Sequence, residues 1–361
     1  GSLTFGGQTI TCPTAGNQEA FVAAVDANTG AGLWALQPHI NGSSLGLAAD
    51  PLTNDFVVCG TEVDLAATGL APKADPADSA GDIVVARLDA STGKVKWGRQ
   101  IAAAGAQTCD SVAIDSSGQV FLAGTVTGPK YVPDGGTTQN SFDLGSGISI
   151  ALPSANSTVI WIAALDGATG SAKKALRFDA PNAGKQEIRQ ITTDAAGHLL
   201  LVGDVSKTAR MGTRSLTATA LKDILVVKLD PQLEVQWADN WGDSKNNFGM
   251  AVAADPAGLV VVAGEYLGPL HLDGTALARG GAISSGFVAR LDGSTGKVLS
   301  ARGYASPGAT QTVRGLQVVG SGQEAGMVWL AGNFTGLLQL GPPVDPLSNT
   351  VAVGFLSKVA Q

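Results

Sequence analysis

Residues 83–97 read IVVARLDASTGKVKW, and this stretch decides the fold. An apolar run as long as a short β-strand ends at Asp89, and a second run begins after Gly93. In such a phrase the Asp side chain caps a type I turn, and the glycine takes the left-handed position that a bulged hairpin requires. The stretch is therefore predicted to form two antiparallel strands joined by a tight turn.

The same phrase recurs along the chain, alternating with a second one. Further copies are FVAAVDANTGAGLW from Phe21, WIAALDGATGSAKKA from Trp161, LVVKLDPQLEVQW from Leu225, FVARLDGSTGKVLS from Phe287 and a degenerate VGFLSKVAQ from Val353. The second phrase is SVAIDSSGQVFLAGTVTG from Ser111, and its copies carry glycines in phase at Gly60, Gly124, Gly203, Gly264 and Gly332. Each repeat is therefore predicted to hold four antiparallel strands, A to D, with tight A–B and C–D turns and a long, variable B–C connection.

Tandem four-stranded meanders without a helix pattern predict an all-β fold, a β-propeller of four-stranded antiparallel blades. We count five A, five B, six C and five D strands, which favours five blades, with six as the alternative. The ring would close by pairing N- and C-terminal strands in one blade, which removes exposed sheet edges. The predicted organisation is one domain over 1–361, with repeats at 45–103, 110–178, 187–240 and 248–304 and a closing blade of 313–359 plus 1–40.

The second phrase, with IVVARLD from Ile83, resembles the bacterial secreted β-propeller repeats of the SBBP type, and this resemblance covers nearly the whole chain. It implies an exported or cell-surface protein that is often a module of a larger one. The phrase Asp89–Trp97 is also similar to the tryptophan-docking repeat of quinoprotein propellers. That second resemblance implies a shared scaffold only, because the chain has no adjacent Cys-Cys pair and no recognisable cofactor site.

Charge and composition narrow the class of partner. The 361 residues carry 23 Lys+Arg against 30 Asp+Glu, a net charge of −7, so a nucleic acid partner is not expected. No apolar stretch approaches the roughly 18 residues that span a bilayer. We read no signal peptide at Gly1–Phe5 and expect a mature chain or one that begins after a removed leader. The expected location is secreted, periplasmic or on the cell surface.

Three cysteines, Cys12, Cys59 and Cys109, form neither a zinc pattern nor a disulfide framework. An exported protein could still contain one disulfide bond, for example Cys12–Cys109, and the sequence does not decide this. Cys59 occupies the position where other repeats have small apolar residues, namely Ala123, Val202, Ala263 and Ala331. It is therefore predicted to be a small core residue.

No residue pattern predicts catalysis, a metal site or a cofactor. The three histidines, His39, His198 and His271, lie in three different repeats without ligand spacing. The recurring aspartates occupy the same turn of each repeat, and no calcium-loop run of alternating acids is present. We interpret these aspartates as turn caps.

One polar register is a candidate binding site. Gln107, Gln186, Asn247 and Gln311 fall at the entry of strand A in their repeats. Because strand A lines the channel of a propeller, these amides could form a collar that binds hydroxyl or carbonyl groups of a ligand. The alternative is that they satisfy backbone groups between blades or hold water.

Two aromatic residues, Tyr131 in a B–C loop and Trp241 in a D–A loop, are further binding candidates. The alternative is that each ring packs against its own loop. The favoured function is a non-catalytic exported module that binds a protein or glycan, as part of a larger surface assembly. Two alternatives remain: a polysaccharide-active lyase or hydrolase with a site on one propeller face, and a purely structural subunit.

Overall fold

A computed structural model describes the chain except for residues 1, 6–7, 12–20, 37–38, 41–44, 62, 65–82, 102–105, 129–140, 155, 279–282, 307, 323, 340–345 and 360–361. The described residues form strands and turns with no helix, which confirms the all-β class. In that part of the chain, accordingly, no helix has the length and apolar character to cross a membrane.

Contacts divide the chain into two compact units, which are described separately: Gly1–Asn156 with Trp161–Leu176, and Ser157–Ile160 with Arg177–Gln361. The prediction of a single domain stays a prediction.

The strands follow one order throughout the chain. They begin with β1 (Ser2–Phe5), β2 (Gln8–Thr11), β3 (Val22–Val25), β4 (Gly32–Leu36), β5 (His39–Ile40), β6 (Leu45–Ala49), β7 (Phe56–Thr61), β8 (Val63–Asp64), β9 (Ile83–Leu88), β10 (Val95–Ile101), β11 (Ser111–Ile114), β12 (Val120–Thr127), β13 (Ser141–Gly145), β14 (Ile148–Ala151), β15 (Thr158–Leu165) and β16 (Ala172–Arg177). They continue with β17 (Gln186–Thr193), β18 (Leu199–Val205), β19 (Thr208–Met211), β20 (Arg214–Thr217), β21 (Asp223–Leu229), β22 (Val235–Trp241), β23 (Asn247–Ala254), β24 (Val260–Tyr266), β25 (Leu270–Leu272), β26 (Thr275–Leu277), β27 (Ser285–Leu291), β28 (Val298–Tyr304), β29 (Thr310–Val318), β30 (Val328–Leu338) and β31 (Leu347–Val359).

Four sheets have the predicted four-stranded meander, with strands A to D in sequence order. They are the first sheet (β6-β7-β9-β10), the second (β11-β12-β15-β16), the third (β17-β18-β21-β22) and the fourth (β23-β24-β27-β28), and a fifth has three strands, β29-β30-β31. In the first four sheets the B and C strands are buried along nearly their whole length, as in β18 and β9, whereas the C strand of the fifth sheet, β31, is largely exposed. This meander is the blade unit of a β-propeller.

The C–D turns form as the sequence predicts. The Asp292 carboxylate accepts hydrogen bonds from the backbone of Ser294 (3.0 Å) and Thr295 (2.8 Å), and Gly296 has a φ of 77°. Asp26, Asp89 and Asp166 make the same cap. The turn of the third sheet has no glycine, so Leu233 takes the left-handed φ of 61°.

The cap of Asp292 makes stability depend on acid pH. Hydrogen bonds from Ser294 and Thr295 lower the pKa of Asp292 to about 2, from its ordinary 3.8. This stabilisation is therefore present above pH 3.8 and is lost as the pH falls through about 2. The thermal midpoint of Asp292→Ala should lie below that of the wild type at pH 6 and converge with it near pH 2. Ser300→Ala, at an exposed site, should follow the wild type at every pH; a constant gap for Asp292→Ala would contradict the cap's role.

Tryptophans join successive sheets within each unit. The indole nitrogen of Trp97 donates to the Gly167 carbonyl of the second sheet (2.9 Å), and the ring lies where Gly170 has no side chain. Trp34 of the β3–β4 hairpin bonds Ala90 over Gly93 in the same way, and Trp237 of the third sheet bonds Gly293 over Gly296. The position just after the C–D turn thus places a large ring between two sheets. The second sheet has Lys174 at this position, and the turn of the third sheet has no glycine to receive a ring.

The long B–C connections contain short hairpins that the sequence reading did not identify. They are β13–β14, β19–β20 and β25–β26. Two of them cover the outer D strand of their own sheet. Arg214 donates to the Gln236 carbonyl of β22 (2.8 Å), and Asp273 accepts from the Val298 amide of β28 (3.0 Å). These contacts use backbone groups that an open sheet edge would leave available for aggregation.

Cys59 is buried in the core, as predicted, and it also forms a disulfide that the sequence left open. Cys59 and Cys109 form a disulfide, with Cα atoms 5.9 Å apart, whereas Cys12 lies outside the described residues. Cys59 lies on the central strand β7, and Cys109 comes just before β11, so the bridge joins the first sheet to the second. The equivalents of Cys59 in the other repeats are not cysteines, so the repeat pattern carries no signal of its pairing with Cys109.

Removal of this disulfide should destabilise the chain by about 2–4 kcal/mol, because the unfolded state then loses the constraint of a long closed loop. The bridge spans 50 residues. The measurement is denaturant unfolding of the Cys59→Ala/Cys109→Ala variant beside Cys12→Ala, which should unfold like the wild type. Peptide mapping without reduction should recover the Cys59–Cys109 peptide, and a Cys12–Cys109 peptide would contradict the assignment.

The third strand of the fifth sheet, β31, is relevant to the predicted number of blades and to ring closure. β31 pairs along β30, with Gly332 opposite Phe355, and so takes the C position of that sheet. The β3–β4 hairpin instead packs through Val22, Ala24 and Trp34 against the first sheet. The C strand beside β30 therefore comes from the C-terminal segment. Five or six blades, and ring closure, stay predictions.

Candidate functional site

The phased glycines permit a bulge in the A strands of the third, fourth and fifth sheets. The same one-residue shift occurs just before β11 of the second sheet, where Gln107 pairs with Val126 and Ser111 with Ala123. A Cβ at Gly203, Gly264 or Gly332 would overlap the carbonyl oxygen of Glu187, Phe248 or Thr312 on the neighbouring A strand. Glycine at these B-strand positions thus lets the two backbones approach closely. Just beyond this contact the register shifts by one residue in β17, β23 and β29.

Each bulge inserts one residue, and the three inserted residues are Arg189, Met250 and Arg314. β17, β23 and β29 are the terminal A strands of the third, fourth and fifth sheets. The three side chains therefore emerge at equivalent places on consecutive sheets of one unit. Bulges commonly re-aim side chains beside functional sites.

Charged groups of the third sheet surround the first bulge. The Arg189 guanidinium contacts the carboxylates of Glu187 (2.5 Å) and Asp204 (3.1 Å). Lys222 contacts the same two carboxylates, Glu187 at 2.9 Å and Asp204 at 2.8 Å, and its ammonium lies 5.4 Å from the centre of the Phe248 ring. Asp204 is fully buried, whereas a third of the Arg189 side chain is exposed.

The row of charges continues onto the fourth and fifth sheets. Arg314 lies 3.8 Å from the carboxylate of Glu265, and one of its nitrogens lies 3.8 Å from the sulfur of Met250. Half of the Arg314 side chain is exposed. The positive charges of Arg314 and Arg189 both lower the pKa of Glu265, against the effect of its burial, so the two groups of charges are considered together. We call Glu187, Arg189, Asp204, Lys222, Glu265 and Arg314 the edge cluster.

Burial sets the protonation behaviour of the edge cluster. Burial raises the pKa of Asp204 despite the contacts with Lys222 and Arg189, and it raises the pKa of Glu265 despite Arg314. Burial raises the pKa of Glu187, but the hydrogen bond from Lys222 and the charges of Lys222, Arg189 and Lys185 together outweigh burial, and the pKa is lowered. Burial alone would lower the pKa of Lys222, but its bonds to Asp204 and Glu187 raise it. The cluster thus combines three cations with three carboxyl groups of unequal acidity.

The four predicted amides lie elsewhere, inside the joints between sheets. Gln107, Gln186, Asn247 and Gln311 are all at least 98% buried. Gln186 accepts from the Ile160 amide (3.1 Å) and donates to the Asp179 carbonyl (2.9 Å). Gln311 donates to the Leu337 carbonyl (2.7 Å), and Asn247 to the Lys245 carbonyl (3.1 Å). These contacts fit the alternative that the amides satisfy backbone groups, and a ligand-binding role stays a prediction.

The two predicted aromatic residues do not form a described surface. Trp241 is 4% exposed, belongs to the core between the third and fourth sheets, and donates its indole N–H to Asp273 (3.1 Å). Its ring therefore packs, as the alternative interpretation held. Tyr131 lies outside the described residues.

The sequence reading did not identify the edge cluster, although a signal was present. Glu187 and Asp204 fall at the same repeat positions as Thr108 and Thr125 in the second sheet, whose hydroxyls lie 2.9 Å apart. Charged residues that replace neutral ones in a repeat mark a departure from the scaffold. The bulges that bring these charged residues together could not be predicted from the apolar pattern, because each bulge inserts one residue and leaves that pattern unchanged. Over the described residues, no group of three or more His, Cys, Asp or Glu side chains is arranged to hold a metal ion.

Comparison with known proteins gives architectural similarity only. No family model and no curated protein matches the chain, so the SBBP resemblance stays a prediction. A protein of unknown function from Dyadobacter fermentans has 13% identity and a TM-score of 0.46, over 87% of this chain and 82% of its own. BamB from Moraxella catarrhalis has 15% identity and a TM-score of 0.29, over 86% and 85%. The quinohemoprotein alcohol dehydrogenase ADHIIG from Pseudomonas putida has 12% identity and a TM-score of 0.35, over 87% of this chain and only 59% of its own. These values support no functional conclusion.

Proposed function

We propose that the chain is a non-catalytic β-propeller module that binds a protein segment or a glycan through the edge cluster. The observation that carries this proposal is the set of charged side chains gathered at the bulges of the third, fourth and fifth sheets, because the bulge itself also occurs in the second sheet and belongs to the repeat. The bulges of these three sheets present Arg189, Met250 and Arg314 beside acidic groups on neighbouring strands.

The energetics support a role beyond folding. A buried carboxylate such as Asp204 loses hydration that its ion pairs only partly replace, so apolar residues would often be as stable. The second sheet has neutral hydroxyls at the equivalent positions, so the repeat architecture itself does not require these charges. Partly exposed guanidinium groups offer several directed donors to carboxylates, hydroxyls or peptide carbonyls of a ligand.

We further propose that the module works outside the cytoplasm, in the periplasm, at the cell surface or after secretion, as part of a larger assembly. The Cys59–Cys109 disulfide supports this location, because such bonds persist mainly in oxidising compartments. The acidic net charge of −7 supports a partner other than nucleic acid.

A polysaccharide-active enzyme is the second candidate. The raised pKa values of Asp204 and Glu265 favour it, because a general acid must retain its proton near the working pH. Its test is the release of reducing or unsaturated ends from a panel of polysaccharides by the wild type. We expect no release; activity that Glu265→Gln abolishes would replace the binding proposal with a catalytic one.

Glycan and peptide arrays test the binding proposal. They are probed with the wild type, with Arg189→Ala/Arg314→Ala and with Arg302→Ala, which removes an exposed arginine from β28 of the same unit. We expect ligands that the wild type and Arg302→Ala retain and the double variant loses. A folded wild type that binds nothing on either array, or a double variant that keeps every ligand, would overturn the proposal and leave the structural-subunit reading.

A further inference from the structure

The carboxylate of Asp223, at the start of β21, is buried without a matching cation. Its exposure is 0%. Oδ2 accepts from the Thr219 amide (3.0 Å), the Thr219 hydroxyl (3.2 Å) and the Asn240 side chain (2.8 Å), whereas Oδ1 has no hydrogen-bond partner. Among the described residues no lysine, arginine or histidine forms an ion pair with it. A carboxylate in this setting carries a large desolvation cost.

Two more buried side-chain oxygens, on residues that follow β22 in the sequence, have no hydrogen-bond partner. Asp243 Oδ1 accepts from the Lys245 amide (2.8 Å) and the Asn247 side chain (3.3 Å), but Asp243 Oδ2 has no hydrogen-bond partner. Asn247 is fully buried, and its side-chain oxygen also has none. The Asn247 amide group already donates through its nitrogen, so that oxygen is the free end of an oriented side chain.

Backbone contacts bring the three residues to one place. The backbone N–H of Asn247 donates to the carbonyl of Lys222 (2.9 Å), and Lys222 is the residue before Asp223. Asp223 Oδ1 lies against Gly242, the residue before Asp243, where any Cβ would overlap it. The start of β21, the segment that follows β22 and the start of β23 therefore lie side by side, and each carries one of the three residues. Asp243 Oδ2 lies against Gly268, just after β24.

We propose that this junction binds a calcium ion through the side-chain oxygens of Asp223, Asp243 and Asn247. Carboxylate and amide oxygens are the ligands that hard cations prefer, and the set contains no nitrogen or sulfur donor for zinc. Calcium suits it better than magnesium, because calcium accepts irregular oxygen ligands and more readily gives up water. The ion would neutralise Asp223 and join the third sheet to the fourth. This site shares no side chain with the edge cluster, so either proposal can fail alone.

Thermal unfolding of the full chain, stripped with EGTA and titrated with CaCl₂, tests the proposal. We expect the midpoint to rise by about 2–6 °C at saturating calcium, with a smaller rise in MgCl₂ and none in KCl of equal ionic strength. Terbium supplies a second readout. Its luminescence should be sensitised by Trp241, the residue before Gly242, and calcium should quench it by displacement.

Three variants complete the test. Asp223→Asn and Asp243→Asn should both lose the calcium response and the terbium signal, and Asp223→Asn without calcium should unfold no earlier than the calcium-free wild type. Asp179→Asn, which changes an exposed carboxylate of the same unit, should respond like the wild type. A folded wild type with neither readout, or a response that survives in both site variants, would overturn the proposal.

Discussion

Replacement of Arg87 by alanine is expected to lower the free energy of unfolding by about 3–5 kcal/mol, because it leaves the buried Asp50 without its counter-charge and the buried Asp55 with Lys96 alone. Arg87, Asp50 and Asp55 are 6%, 2% and 3% exposed. The guanidinium contacts Asp50, donates to Asp55 (3.0 Å) and also donates to the Gly167 carbonyl of the second sheet (2.8 Å). One side chain thus neutralises the A–B turn of its own sheet and holds the next sheet.

The pKa of Asp55 points the same way. Burial raises this pKa, but hydrogen bonds from Lys96 and Arg87 outweigh it and leave the pKa below its ordinary value. The stabilisation is therefore present at neutral pH and is lost as the pH falls below 3.8, the ordinary value.

Denaturant unfolding at pH 7 measures the effect of Arg87→Ala. Arg99→Ala is the matched control, since Arg99 makes one hydrogen bond, to the Gly170 carbonyl (2.7 Å), and no ion pair within the described residues. It should cost about 1 kcal/mol. Adding Asp50→Asn and Asp55→Asn to Arg87→Met should recover much of the loss, because no buried charge is then left. Lys96, the remaining charged partner, is 45% exposed and still contacts Asp89 (3.3 Å). A cost for Arg87→Ala no larger than that for Arg99→Ala would contradict the network's role.

Replacement of Trp237 by alanine should cost about 3–5 kcal/mol, because it empties the joint between the third and fourth sheets. The side chain is 5% exposed and belongs to the core that these two sheets share. Its ring lies directly on Gly296, where a Cβ would be 2.7 Å from the ring carbon Cε3. Gly296→Ala should therefore also destabilise the fold, both by displacing the ring and by straining a backbone with a φ of 77°.

Two variants separate packing from hydrogen bonding at this joint. Trp237→Phe keeps most of the ring but loses the indole bond to Gly293, and should cost less than Trp237→Ala. Trp329→Ala removes a ring that is 36% exposed on β30 and should cost far less than Trp237→Ala. Equal costs for Trp237→Ala and Trp329→Ala, measured by denaturant unfolding, would contradict a packed joint.

The sequence predicted the scaffold because its signals are local. Asp89 and Gly93 specify a turn through their own side chain and backbone freedom, and the repetition of this turn determines the meander. The short hairpins escaped prediction because strands of three to five residues carry too little pattern to be distinguished from a loop. The Cys59–Cys109 bond escaped because it joins two sheets whose mutual packing the repeat pattern does not specify.

The candidate site was less predictable than the scaffold. The amides at the A-strand entry are polar and in phase, and Gln186 and Gln311 bond to backbone groups, while a ligand-binding role for the amides stays a prediction. Arg189 and Arg314 do not repeat in every sheet, and a search for repeats overlooks such residues. In a repeat protein, departures from the repeat are therefore site candidates that need a search of their own.

Isothermal titration of the strongest array ligand into the wild type, Arg314→Ala and Arg302→Ala tests the central claim most directly. If the edge cluster binds the ligand, Arg314→Ala should weaken the affinity at least about tenfold, a loss of roughly 1.4 kcal/mol. Arg302→Ala should bind like the wild type. Equal affinities for all three folded proteins would place binding away from the edge cluster and contradict the proposed function.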